Sequence, residues 1–278
     1  MTRDAGSRSR CSHRGRLAVV VVLVLLGGSL WWVSTGHGGG RHQHPLGTPP
    51  QPMPVPPNRI SLQGWKLTIP EKDKSGHAAV IEPAAVEPPW LTESPDGSLS
   101  FWAPVRGATT PHSQHARTEL DSLSNFSAAT SGPHTLKAAS AVRQVPTDTQ
   151  DIILGQIHGA GAISSVPYVM LHYRAGTIEV VARQQQSGSQ TLSFPLLNGV
   201  PLNQRFSFTI SDIGNGTMVF SATYGTQTKQ AIAQVPQNFH DATVRFQVGD
   251  YQQAHDSPDT EDGGRVTFYQ IDELTTTP

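Results

Sequence analysis

After Arg59 no stretch of the chain repeats apolar residues at three- and four-residue spacing for long enough to build a substantial helix; apolar positions recur instead at every second residue. Successive side chains of a strand point to opposite faces, so this period marks half-buried strands. In PYVMLHYR, Val169, Leu171 and Tyr173 alternate with Tyr168, Met170, His172 and Arg174. In RFSFTISDIGNGTMVFSATYG, Phe206, Phe208 and Ile210 share one face, Gly214-Asn215-Gly216 supplies a turn, and Met218, Phe220 and Ala222 return. That pattern predicts a hairpin. RVTFYQIDEL predicts a further strand, and helix is expected only in short pieces such as PAAVEPPWL. With 26 Gly and 22 Pro to make turns, and only 15% charged residues, the chain predicts an all-β sandwich, specifically a β-jelly roll.

The first residues are of another kind. Arg3, Arg8, Arg10, Arg14 and Arg16 precede the apolar run Leu17 to Leu26, which continues through Gly27 and Gly28 into Leu30, Trp31, Trp32 and Val33. A basic head before an apolar segment is an export element, and both a cleaved signal peptide and a retained signal anchor fit residues 1–35. Either places the rest of the chain outside the cell or on its surface. Residues 36–58, rich first in Gly and then in Pro, read as a spacer, in which His37, His42 and His44 are linker residues rather than metal ligands. Residues 59–278 are then one domain. The single cysteine, Cys11, lies in the basic head, so this domain has no disulfide, no cysteine-ligated metal and no thiol nucleophile.

After Asn58 the chain carries 14 basic and 20 acidic residues, a balance of −6. Nucleic-acid binding calls for a basic footprint that this balance lacks. An anionic ligand would instead meet a local cluster of cations.

Three strands offer polar faces. In RTELD, Arg117, Glu119 and Asp121 share a side; in LGQIHG, Gln156 and His158 do; in VRFQVGDYQQ, Arg245, Gln247, Tyr251 and Gln253 lie opposite Val244, Phe246 and Val248. Singly, each pattern fits a solvated sheet surface. Together they place a guanidinium, an amide, an imidazole and a phenol at the disposal of one ligand.

These residues carry a resemblance. Arg117-Thr118-Glu119-Leu120, Gln156-Ile157-His158 and Tyr251-Gln252-Gln253 are similar, in order, to the signature segments of the alginate lyases of polysaccharide lyase family seven, and GWKLTIP, FWAPVRGATTPHS and VTFYQIDEL resemble the flanking strands. The resemblance spans Ile60 to Leu274 and implies a jelly roll with a concave groove. It also implies β-elimination on a 1,4-linked polyuronate, with no cofactor and no metal. In that scheme Arg117 and Gln156 neutralise the uronate carboxylate, His158 is base or a further donor, and Tyr251 is the acid, or both acid and base. Glu119 orients an arginine, and Arg245, Gln247 and Gln253 join it on the substrate side. The expected partner is an anionic polysaccharide, bound by a monomer.

Some positions depart from the family pattern. Asp121 stands where a second Arg is common, Gln247 where a Lys is, and Arg245 where an aromatic is usual; His112 and His115 replace an Asn and a Tyr. Two cations are thus missing from the expected groove, and Arg245 returns one. That leaves other polyuronates, such as a glucuronan, as alternative substrates, and a non-catalytic carbohydrate-binding jelly roll as an alternative function. A laminarinase-type hydrolase fails because ELDSLS has Glu119 and Asp121 but Leu123 and Ser124 where the second catalytic glutamate belongs.

Overall fold

The computed structural model describes residues 59–276. The export segment and the spacer expected over 1–58 lie outside the described residues, and among those described no helix is long and apolar enough to cross a membrane.

Sixteen strands follow one another: β1 (Trp65–Lys72), β2 (Ala78–Ile81), β3 (Leu91–Glu93), β4 (Leu99–Pro104), β5 (Arg117–Ser122), β6 (Phe126–Ser127), β7 (His134–Gln144) and β8 (Asp151–Gly159), then β9 (Pro167–Arg174), β10 (Thr177–Arg183), β11 (Thr191–Leu197), β12 (Phe206–Asp212), β13 (Thr217–Tyr224), β14 (Gln227–Gln234), β15 (Thr243–Gln252) and β16 (Gly263–Thr275). They form two antiparallel sheets, the first in the order β11-β10-β9-β8-β15-β5-β1-β2 with β6 on β15, the second in the order β14-β13-β12-β7-β16-β4-β3. Hairpins of consecutive strands are joined within each sheet by pairings of strands far apart in sequence, such as β8 with β15, β15 with β5, β12 with β7 and β7 with β16, as in a β-jelly roll.

Alternation decides which face of each strand is buried. Phe101 of β4, Phe206 and Phe208 of β12, Phe220 of β13, Phe246 of β15 and Phe268 of β16 are at most 2% exposed and fill the space between the sheets. Phe101 and Phe268 meet edge to face with ring centroids 5.3 Å apart, an arrangement that suits the ring quadrupole. The β12–β13 hairpin forms as the sequence predicts, with Phe208 opposite Ala222 and Ile210 opposite Phe220. Its turn needs glycine: Gly214 has φ of 80°, and a Cβ there would lie 2.2 Å from the Ser131 carbonyl oxygen.

The helix expected in PAAVEPPWL does not form. Residues 82–90 make bends and a turn leading into β3, because Pro83, Pro88 and Pro89 remove backbone donors and push their predecessors out of the helical region. Helical structure among the described residues is confined to the 3-10 turns Gly161–Ile163 and Gln237–Phe239.

Candidate active site

The site is assembled by register. β15 lies between β5 and β8, and on its outer face Tyr251 pairs with Arg117, Gln247 with both Asp121 and Gln156, and Arg245 with His158. Three segments far apart in sequence thus present their polar residues side by side. β1 adds the next row, Lys66 opposite Asp121 and Thr68 opposite Glu119.

A cleft of about 240 Å³ opens over these rows, lined among others by Lys66, Thr68, Ser113, Arg117, Asp121, His158, Arg245, Gln247 and Tyr251. At its centre the Arg117 guanidinium lies 3.6 Å from the centroid of the Tyr251 ring. Its Nη1 donates to Glu119 Oε2 at 2.9 Å. Burial alone would make Arg117 easier to deprotonate, but Glu119 and the other negative groups outweigh it and hold the cation. The Tyr251 hydroxyl is 2.9 Å from Ser113 Oγ. Ser113 Oγ in turn donates to the His115 carbonyl oxygen at 2.9 Å, so its one proton is committed and Tyr251 is the donor in that pair.

His158 Nδ1 lies 3.0 Å from the carbonyl oxygen of Gly159. A carbonyl only accepts, so Nδ1 carries the proton and Nε2 has a free lone pair. Burial, reinforced by Arg117 and Arg245, pushes the imidazole down to about 4. At neutral pH His158 is an uncharged base.

Beneath the cleft runs a buried polar chain. The Gln156 amide donates to Glu119 Oε1 at 2.6 Å and to Gln247 Oε1 at 3.0 Å. Gln247 donates to Asp121 Oδ1, which also meets Arg245 Nη2 at 3.4 Å, while Thr68 donates to Asp121 Oδ2 at 3.0 Å. Glu119 is wholly buried, and that burial, opposed by Arg117 and assisted by Asp121, raises it to about 7. Gly249, opposite Glu119, keeps β15 close to β5: a Cβ there would meet the Thr118 carbonyl oxygen at 2.5 Å.

Of the residues singled out in the sequence, Arg117, His158, Tyr251, Arg245 and Gln247 meet at the cleft. Gln156 and Glu119 do not line it. Both are 0% exposed and face each other below its floor, hydrogen-bonded to one another and, above, to Arg117 and Gln247. Gln253 does not line it either. β15 ends at Gln252, and the Gln253 side-chain amide donates to the carbonyls of Tyr251 and Gln252. Sequence reasoning passed over Ser113, Lys66 and Thr68. The last two were readable in WKLTIP, where they alternate with buried Trp65, Leu67 and Ile69; Ser113 sits in a loop with no period to betray it. Among the described residues no group of three His, Cys, Asp or Glu is placed to hold a metal.

A neutral imidazole with its lone pair free, a phenol and a guanidinium held against each other over a polar sheet suit proton removal beside a carboxylate, and on this jelly roll they define a polysaccharide lyase. Residues 60–274 match the alginate lyase family. The chain belongs to that family. Among solved structures it is similar to alginate lyase PA1167 from Pseudomonas aeruginosa, with 26% identity over 78% of this chain and 100% of that one and a TM-score of 0.68. It is also similar to alginate lyase A1-II', a member of polysaccharide lyase family-7, at 21% identity over 80% of this chain and 99% of that one, TM-score 0.69. The alginate lyase from Klebsiella pneumoniae aligns at 19% identity over 80% of this chain and 99% of that one, TM-score 0.68, and at this distance shares the fold. Among curated protein sequences none matches the chain.

Proposed function

We propose that the enzyme cleaves a 1,4-linked polyuronate, alginate first among them, by β-elimination. His158 Nε2 takes the proton from C5 of the uronate. The electron pair left behind forms the C4–C5 double bond as the C4–O4 bond breaks, and the Tyr251 hydroxyl gives its proton to the departing oxygen. Arg117 faces the carboxylate on C5, where negative charge builds as the proton leaves, and preorganised positive charge there lowers the barrier. The same guanidinium favours the charge that develops on the phenol as its proton departs. Glu119 and Gln156 act from below, by fixing Arg117 and Gln247 in place.

The observation that carries this reading is the uncharged His158 with its free Nε2 in the same cleft as the Tyr251 hydroxyl and the Arg117 cation. The similar A1-II' has been crystallised, as variants, with a substrate (GGMG) and with a product (GGG), which favours alginate as the polymer to try first. Asp121 and Gln247 in the cleft leave Lys66, Arg117 and Arg245 as its cations, and this favours including a glucuronan in the panel. The basic head and apolar run of residues 1–35 support action outside the cell, where such polymers occur.

The test is to mix the protein with alginate, its separated block polymers and a glucuronan. The expected product bears an ultraviolet-absorbing unsaturated uronate end. New reducing ends without that absorbance would assign a hydrolase, and binding without cleavage a carbohydrate-binding module.

A further inference from the structure

Both arginines that line the cleft are ion-paired, Arg117 with Glu119 and Arg245 with Asp121. On the opposite side of the sandwich, the outer face of the second sheet, stand Arg143 near the end of β7, Arg205 just before β12 and Arg265 on β16. Among the described residues none of these three is ion-paired with a carboxylate.

All three are nevertheless held in place. Arg265 lies 4.4 Å over the ring of Trp102, its register partner on β4. Arg205 lies 4.3 Å over the ring of Tyr269. Arg143 donates through Nε to Thr267 Oγ1 at 3.1 Å and through Nη2 to the Tyr269 hydroxyl. It can reach both because β7 bulges there: Gln144 and Val142 pair with the successive residues Arg265 and Val266, which leaves Arg143 as the additional residue. Positions 265, 267 and 269 succeed one another on one face of β16, so the row is about 13 Å long at about 3.3 Å per residue.

The nearby acids offset this charge only in part. Asp96 lines a hollow of about 210 Å³ with Ser98, Arg205, Tyr269 and Gln270; the Ser98 hydroxyl and backbone N–H, together with Arg205, keep it ionised, but its Oδ1 faces Ser98 at 2.6 and 3.0 Å and makes no ion pair with the guanidinium. Three guanidinium groups held on one face, none of them ion-paired, favour an anionic partner there in a domain of balance −6.

We propose that this row is a second binding site, for a strand of anionic polysaccharide, which holds a polyuronate on the face away from the cleft. The identity of the polymer rests on the function proposed above; the site itself does not. A polysaccharide fits better than a nucleic acid, because the rings of Trp102 and Tyr269 are already covered by guanidinium groups and leave no platform for bases, and the domain as a whole is acidic.

The test is affinity electrophoresis of the full chain, carrying Tyr251→Phe so that cutting of the polymer is strongly slowed, through gels containing alginate, glucuronan, single-stranded DNA or a neutral glucan. Arg205→Glu, exposed and outside every strand, is compared with its parent, and so is Arg143→Ser/Arg205→Ser. We expect retardation in the uronate gels and weakening by about three- to fivefold per arginine lost. In the enzyme with Tyr251 restored, KM for long polymer should rise by the same factor, while turnover of oligouronates short enough to fill only the cleft stays unchanged. Equal retardation of the parent and both variants in every uronate gel, or stronger retardation by DNA, would overturn the proposal. Retardation that Arg205→Glu abolishes in a chain that cleaves no polyuronate would sink the proposed function and leave this site standing.

Discussion

In the proposed elimination three side chains divide the work of the cleft, and each has its own signature. Tyr251→Phe keeps the ring beneath the Arg117 guanidinium but removes the proton that the proposed elimination gives to the leaving oxygen. It should lower kcat by about a hundred- to ten-thousandfold with KM little changed; full turnover would move the acid elsewhere. Arg117→Lys keeps a charge but loses the planar group that meets both the Tyr251 ring and Glu119, and a loss of about a hundredfold or more in kcat is expected from steady-state kinetics on alginate. For His158 the readout is pH. Its imidazole is held down to about 4, so the neutral base persists through mildly acid conditions, and kcat/KM should begin its tenfold-per-unit fall only near that value. A fall of that slope beginning at the ordinary imidazole value of 6.5 would show that another group is the base.

At the scale of the strand, β15 sets the geometry of the site, since it carries Arg245, Gln247 and Tyr251 and brings them into register with β5 and β8. Gly249 lies midway along that run, where a Cβ would come 2.5 Å from the Thr118 carbonyl oxygen and 2.8 Å from Glu119 Cα. Both contacts are backbone, so Gly249→Ala must part β15 from β5. A loss of roughly 1–3 kcal/mol in stability is expected by chemical denaturation, together with a drop in kcat, because Arg117 and Tyr251 sit on the two strands that separate; an unchanged midpoint would remove the reason for glycine. Strands explain as well how far the sequence could be read. Alternation was enough to put Arg117, His158, Arg245, Gln247 and Tyr251 on outward faces, and the hairpin of β12 and β13 was readable from its glycines. Period two assigns a face but not a depth, so it could not say that Gln156 and Glu119 lie under the cleft floor. Nor does it see where a strand stops: extended past Gln252 it carried Gln253 into the cleft, although the strand ends there and the Gln253 amide is taken by backbone carbonyls. The short helical piece expected in PAAVEPPWL is one that its three prolines forbid.

The whole domain combines buried acids that favour protonation with buried groups that favour the opposite, and its stability must tilt with pH accordingly. Glu119 has a folded value of about 7 against an ordinary 4.5, because burial outweighs Arg117. Asp250 is wholly buried between the sheets against Gly264, where a Cβ would sit 2.2 Å from its Oδ1, and burial raises it well above 3.8 despite the backbone of Ala103 and Arg265. For both acids the folded state holds the proton more tightly than the unfolded one. Their stabilisation is complete below the ordinary carboxylate range and is lost as pH rises through the folded value. His158 works the other way: lowered from 6.5 to about 4, it supports the fold above 6.5 and withdraws that support as pH falls towards 4. Asp151, lowered by His172 and Arg174, likewise loses its contribution only in acid. Above 6.5 the buried acids therefore act without the opposing slope of His158, and Tm should decline from near-neutral towards mildly alkaline pH. Replacing Glu119 with Gln removes one titrating proton while leaving a side chain of the same shape between Arg117 and Gln156. Whatever it does to the absolute Tm, the difference between Glu119→Gln and wild type should shift in favour of the variant as pH is raised from about 4.5 through about 7. Thermal melts in a series of buffers across that window measure it, and parallel curves for the two proteins would mean that Glu119 stays ionised throughout, a full counter-ion to Arg117 rather than an acid held near its midpoint.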